Sequence, residues 1–196
     1  MARIEIMVEE RSMKEFLTIF LPVVMDEFWV LNQNVFIRSF EGKSDLQKNI
    51  PSKLKAYSNW HEPIGVIILQ DQDSNDCVEL KNKLVELCAR SGNCRTLIRI
   101  VCRELESWYL GDFEALGRSY PAFKFEKFLN KSKYRDPDKC NAYHELKKIL
   151  PEFQKVDGAK KVAQNIDLDR NRSRSFHQTI SGIRKLLAEI KKEKSD

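Results

Sequence analysis

The sequence has no apolar run long enough to cross a bilayer, which takes roughly 20 residues. Its longest apolar patches, Phe16 to Phe20 and Val23 to Met25, are broken by Thr18 and Pro22 and flanked by acids. The N-terminus has no signal-peptide pattern, because Arg3 and Glu5 sit inside a strand-like alternation. No C-x-x-C pair occurs, and the five cysteines (Cys77, Cys88, Cys94, Cys102, Cys140) are an odd number. That argues against a disulfide framework and a structural zinc site, and points to a reducing cytoplasm. Neither G-x-x-x-x-G-K-[ST] nor G-x-G-x-x-G is present, so the chain has no recognisable nucleotide cradle, and any ATP in the system must be bound by a partner. The lack of G-x-S-x-G removes the usual serine hydrolase signature. With only 7 Gly and 6 Pro, the chain is neither fibrous nor a flexible linker.

What is present is a folded composition: 42% hydrophobic and 32% charged residues over 196 positions. That length suits a single domain, 1–196, with an α/β core over 1–103 and a mainly helical, basic extension over 104–196. Charge divides along the chain. Residues 1–122 carry 15 Lys+Arg against 18 Asp+Glu, and residues 123–196 carry 19 against 11. Acid early and base late suits a protein that holds a divalent cation in one place and a phosphate backbone in another, although a solvated lysine-rich surface has the same signature.

Short β-branched runs alternate with longer periodic segments over the first 103 residues. Strands are expected at 3–8, 35–40, 65–69 and 96–101, the third being a continuous apolar run of the kind covered on both faces of a parallel sheet. Ser12-x-x-Glu15 and Ser44-x-x-Gln47 read as capping boxes opening two helices, with Pro22 kinking or restarting the first. A third helix spans about 75–90 and is closed by Ser91-Gly92-Asn93. Further helical pieces are expected at 104–117, 124–130, 140–149, 158–165 and 176–193. The fold class is therefore α/β: a Rossmann-like, mostly parallel four-stranded sheet with helices on both faces and a helical C-terminal extension.

Ligands in such sheets bind beyond the carboxyl ends of the strands. Three of the four strands end in acids there: Glu9 and Glu10, then Asp71 and Asp73 with Asp76 beyond, then Glu104 and Glu106. Clustered carboxylates repel unless a cation neutralises them, and hard oxygen ligands suit Mg²⁺ or Mn²⁺. Residues two apart at a fraying strand leave on the same side, so Asp71 and Asp73 can reach one metal or a metal pair. The competing reading is that Asp73, Ser74 and Asp76 cap the next helix, and for Asp76 the cap is preferred. On a helix from 104, Glu104, Trp108 and Asp112 share a face while Glu106 points elsewhere, either in a surface or capping role or into the site, and Trp108 reads as core. Arg170, Arg172 and Arg174 alternate, so an extended segment would put three guanidinium groups on one side to clamp phosphates; equally, they can pair with Asp167 and Asp169. Lys160 and Lys161 follow Gly158 near a helix start. His61, His144 and His177 show no metal-ligand spacing.

Val8-Glu9-Glu10-Arg11-Ser12 followed by Glu15-Phe16-Leu17, together with Val66-Ile67-Ile68-Leu69-Gln70-Asp71-Gln72-Asp73, resembles the Toprim fold of topoisomerases, bacterial primases and OLD-type nucleases. Arg103-Glu104-Leu105-Glu106-Ser107-Trp108-Tyr109-Leu110-Gly111-Asp112, Gly158-Ala159 and Ser173-Arg174-Ser175-Phe176 are similar to the Toprim-like prokaryotic family DUF4276, whose members are often encoded beside ATPases in phage-defence loci. The resemblance implies that Glu9 acts in acid/base chemistry and metal coordination, that Asp71 and Asp73 bind metal, and that Glu106 is a further cleft acid. It also implies Mg²⁺ or Mn²⁺ as cofactor and DNA or RNA and a separate ATPase as partners. The lack of a long apolar run leaves no membrane among the partners, Lys160, Lys161, Arg170, Arg172 and Arg174 are the residues expected to contact the strand, and homo-oligomerisation stays open. One departure stands out: the family's usual Gly after the glutamate is Glu10 here, a side chain that narrows the cleft or adds a ligand. The expectation is a Mg²⁺-dependent nuclease acting in phage defence. The alternatives are a non-catalytic regulatory or sensor subunit of the ATPase and, third, small-molecule phosphoryl transfer.

Overall fold

The computed structural model describes residues 2–92 and 94–194. Four strands, β1 (Arg3–Val8), β2 (Val35–Ser39), β3 (Ile64–Asp71) and β4 (Arg95–Val101), form one sheet in the order β2-β1-β3-β4, with every pair parallel. Helices α1 (Arg11–Val24), α2 (Lys43–Ser58) and α3 (Cys77–Ala89) make the crossovers. The α/β class and the parallel four-stranded sheet expected above are the ones found.

Side chains of a strand alternate between the two faces of a sheet, and that parity divides the core. Ile4, Ile6 and Val8 of β1 with Ile67 and Leu69 of β3 face α1 and the helices after β4. Met7, Val66, Ile68, Ile98 and Ile100 face α2 and α3, where Leu46, Ile50, Leu54, Leu80 and Leu84 meet them. By the same parity Asp71 falls on the first face and Gln70 on the second.

The C-terminal helices α4 (Glu106–Gly111), α5 (Phe113–Ser119), α6 (Ala142–Ile149), α7 (Lys155–Ala163) and α8 (Arg174–Glu193) join the first face. One helix was expected over 104–117; two are present because Asp112 leaves helical geometry (φ −133°, ψ 83°) and accepts from the Ala115 amide as N-cap of α5. The expected 124–130 helix is a single 3-10 turn, Phe125–Lys127. Neither capping box forms. The Ser12 hydroxyl donates to Glu10 Oε1 at 2.5 Å instead, and α2 opens on Gly42 with no side-chain cap. Helix α1 runs through Pro22 to Val24 without restarting. The Asp76 cap is present, accepting from the Val78 and Glu79 amides at 2.9 Å each. Asn93, the last residue of the expected α3 terminator, lies outside the described residues.

Trp108 is fully buried, edge-on to Phe16 and Phe176, and Phe176 also packs on Phe20. Phe176 thereby locks α8 to α1 and α4. Phe176→Ala is expected to cost about 3–5 kcal/mol, the usual range for a buried aromatic cavity, read as a lowered urea midpoint at unchanged slope.

Candidate functional site

The carboxyl edge of β1 and β3 gathers acids from separate stretches of chain. Asp71, the last residue of β3, donates its amide to Glu9 Oε2 at 3.3 Å, which fixes Glu9 beside it. Its own carboxylate is buried: Oδ2 accepts from the Leu105 amide at 3.4 Å, while Oδ1 has no partner. Glu106, at the start of α4, is fully buried and neither of its carboxylate oxygens has a partner. The 104–112 segment therefore turns Glu106 inward. Glu104 reaches away and accepts from the Tyr143 amide at 2.8 Å, at the start of α6.

Burial, then the charges of Glu106, Glu9 and Glu10, push Asp71 well above the usual carboxylate range. Glu106 is raised to about 7, chiefly by burial. Glu9 is raised by burial and then by the charge of Asp73. The cation among them is Lys155, the first residue of α7, whose Nζ donates to Glu10 Oε1 at 3.2 Å. Burial works against its charge, but the carboxylates of Glu106, Glu10 and Asp71 outweigh it and hold the ammonium above its ordinary range.

Asp73 parts from Asp71. It stands in the left-handed region (φ 52°), as does Arg103 after β4 (φ 59°), and the Asp73 amide donates to the Arg103 carbonyl at 2.7 Å. Left-handed backbone at non-glycine residues is costly and tends to collect at functional sites. The same-side exit expected of the pair ends at Asp71: Asp73 turns outward and accepts from Lys43 Nζ at 3.0 Å. It lines a cleft of about 460 Å³ with Ser74, Arg103, Glu104, Lys139 and Asn141.

Among the described residues, no three Asp, Glu, His or Cys side chains are close enough to form a ready-made metal cage. The donor chemistry still fits a hard divalent cation. Buried carboxylate oxygens on Asp71 and Glu106 lack any partner, Glu9 is adjacent, and Mg²⁺ needs few protein ligands because it retains water.

The basic residues proposed from sequence are dispersed. Arg170 is committed to Asp112, donating from Nε at 2.7 Å and from a terminal nitrogen at 2.9 Å, so its partner is neither Asp167 first nor Asp169. Arg172 lies 5.9 Å from the Phe113 ring centre, Lys161 pairs with Asp157 at 2.7 Å, and Lys160 approaches Glu15 at 3.5 Å. Arg174 is exposed at the first turn of α8. The serines around it are structural: Ser173 and Ser175 both bind Asp138, and the Ser175 hydroxyl accepts from Trp108 Nε1 and the Cys102 amide. The cations at the acidic rim are instead Lys43, Arg103, Lys139 and Lys155. Lys43 and Arg103 follow strands β2 and β4, so the search of strand ends that found the acids could have found them too. For Lys155 no local pattern exists.

Fold and rim together define an α/β protein with an acidic cluster at the carboxyl edge of a four-stranded parallel sheet. The chain belongs to the DUF4276 family (domain of unknown function), whose model matches residues 8–184. Its fold is similar to the C-terminal region of the Xanthomonas campestris pv. campestris OLD protein in a structure phased with iodine, with a TM-score of 0.52, 13% identity, and 95% of this chain and 96% of that one covered. A second structure of that region, phased with platinum, gives a TM-score of 0.43 at 14% identity, over 95% and 94% of the chains. At such identity the likeness is one of fold. No curated protein matches the chain. Among the described residues, no helix is long and apolar enough to cross a membrane.

The buried acids make stability depend on pH. A carboxylic acid whose folded pKa exceeds its unfolded value binds an extra proton in the folded state, so stability falls as pH rises between the two values. For Glu106 that window runs from the ordinary 4.5 to about 7, a difference on the order of 3 kcal/mol. The metal-free protein is expected to melt at progressively lower temperature as pH rises through this window. Glu106→Gln, isosteric and uncharged, should flatten the dependence and melt higher than wild type above it, as followed by circular dichroism.

Proposed function

We propose that this protein is a divalent-metal-dependent nuclease that hydrolyses phosphodiester bonds in nucleic acid, the effector of a phage-defence system whose ATPase is a separate partner. One observation carries the reading. Asp71 is buried at the end of β3 with a carboxylate oxygen unpartnered, under the charges of Glu106 and Glu9 from two other segments. Such an arrangement is costly unless a cation joins it. Support also comes from the OLD-like fold, found in a region of a longer protein, and from the absence of a nucleotide cradle in the sequence.

In this reading Asp71, Glu106 and Glu9 hold Mg²⁺ or Mn²⁺, with Asp73 at the outer edge. The bound ion supplies charge stabilisation to phosphoryl oxygens and acidifies a water. Glu9, half-buried and raised in pKa, is suited to act as general base toward an attacking water. Lys155 keeps its charge among the carboxylates and directs it at the same space. Arg103 and Lys139 line the neighbouring cleft, where they bind backbone phosphates.

A second reading, a non-catalytic regulatory or sensor subunit, is favoured by one specific contact. Glu10, in the position of the usual glycine, binds Lys155, so an ammonium already offsets part of the acidic charge.

Thermal melting separates the two. On the nuclease reading Mg²⁺ raises the melting temperature of wild type, by the equivalent of about 2.7 kcal/mol at a hundredfold excess over Kd, and leaves Asp71→Asn unmoved; no response in either supports the regulatory subunit. Purified protein with Mg²⁺ or Mn²⁺ and its candidate ATPase is expected to cut plasmid, single-stranded DNA or tRNA. Asp71→Asn and Glu9→Gln should lose at least ~100-fold in rate, the scale of removing a positioned acid or base. Intact substrates in every combination would overturn the proposal.

A further inference from the structure

Gln70 precedes Asp71 and, by strand parity, points to the opposite face of the sheet. A cleft of about 520 Å³ opens there between the first turns of α2 and α3, lined by Lys43, Ser44 and Gln47 of α2, Gln70 of β3 and Lys83 of α3. Gln70 is fully buried. Its Oε1 accepts from Gln47 Nε2 at 2.9 Å, which leaves its own Nε2 as a buried donor without a partner. A buried N–H of this kind costs about 1–3 kcal/mol until an acceptor reaches it.

The donors around Gln70 converge. Helix α2 is 16 residues long and has no side-chain cap, so its first-turn amides are open to a ligand. Asp45 in that turn sends its carboxylate back to the Glu41 amide and to Asn49. Gly42, the N-cap, has φ 91°, and a Cβ built there would meet nothing within 4 Å, so the space above the helix end is clear. The Ser44 hydroxyl and two lysines complete the set. Two carboxylates also line the wall. Asp76 is turned to the amides of Val78 and Glu79, and Glu79 is exposed on the first turn of α3. Lys43 joins this cleft to the acidic rim through its bond to Asp73.

We infer that the cleft is a phosphate subsite, in which the Gln70 amide, the α2 N-terminus, Ser44, Lys43 and Lys83 bind a phosphate group. Resting on the nuclease reading, that phosphate belongs to the nucleotide beside the bond that is cut. Oxygen acceptors satisfy every donor in the set at once, and Lys43 spans the two sites so that a strand seated in one continues into the other.

The test uses the full chain without divalent metal, titrated with a short single-stranded oligonucleotide, as DNA and as RNA, and separately with thymidine 5′-monophosphate. The Gln70 side-chain amide and the Ser44 backbone amide are followed by ¹H–¹⁵N NMR. Both resonances should shift on titration with either probe. Lys83→Gln, at an exposed position, should reduce the slope of log K for the oligonucleotide against log salt by about 0.7, the loss of one phosphate contact on a single strand. If the monophosphate shifts them and no oligonucleotide binds, the subsite stands and the nucleic-acid reading falls. If neither probe moves the two resonances, or Lys83→Gln leaves the slope unchanged, the subsite is rejected, and cleavage by the same preparation would still uphold the nuclease.

Discussion

The constraint on which the rest of this structure depends is the cost of holding carboxylates together away from water. Asp71 and Glu106 are buried with three carboxylate oxygens unpartnered between them. Only a proton, an ammonium or an external cation relieves such a cluster. The protein supplies the first by raising both acids and the second through Lys155. Strand parity aims Asp71 at this face, and a single residue of offset sends Gln70 into the cleft on the other side. One strand end thus faces an acidic cluster on one side and a cleft on the other.

The C-terminal helices are part of this arrangement. Lys155 reaches the cluster because α7 packs against α1, and α4, which carries Glu106, is held through its Trp108 by Phe16 of α1 and Phe176 of α8. The anchors that keep them there are polar. Asp138 holds Ser173 and Ser175, Ser175 holds Trp108 and the end of β4, and Asp112 caps α5 while gripping Arg170. The residues that carry the sequence motifs therefore divide in two. Glu9, Asp71 and Glu106 meet at the acidic edge, whereas Trp108, Asp112, Ser173 and Ser175 hold the helices that enclose it.

This division explains what could be read from the sequence. The strands were legible because β-branched runs are local, and the acids because each follows a strand end. Asp76 was legible as a cap for the same local reason. The capping box at Ser12 failed because its hydroxyl has a stronger acceptor in the Glu10 carboxylate, a competition invisible to a four-residue pattern. Asp73 escaped its expected pairing with Asp71 because two residues in left-handed conformation, each bonded to the other's segment, break the strand alternation. Lys155 was illegible altogether, since it meets Glu10 across 145 positions of sequence.

Glu10 stands where the resemblance to the Toprim fold would have a glycine, and its surroundings say what its side chain does here. Its carboxylate is taken by the Ser12 hydroxyl and the Lys155 ammonium, so it does not project freely into the acidic space. Ionised together, Glu9, Glu10, Asp71 and Glu106 set four negative charges against the one positive charge of Lys155, with Asp73 offset by Lys43. Glycine in place of Glu10 would leave fewer carboxylates and free Lys155 to sit deeper among them, where it would compete with any other cation. Glu10 thus has two opposed effects: it adds a negative charge at the rim, and it holds there an ammonium that offsets part of that charge.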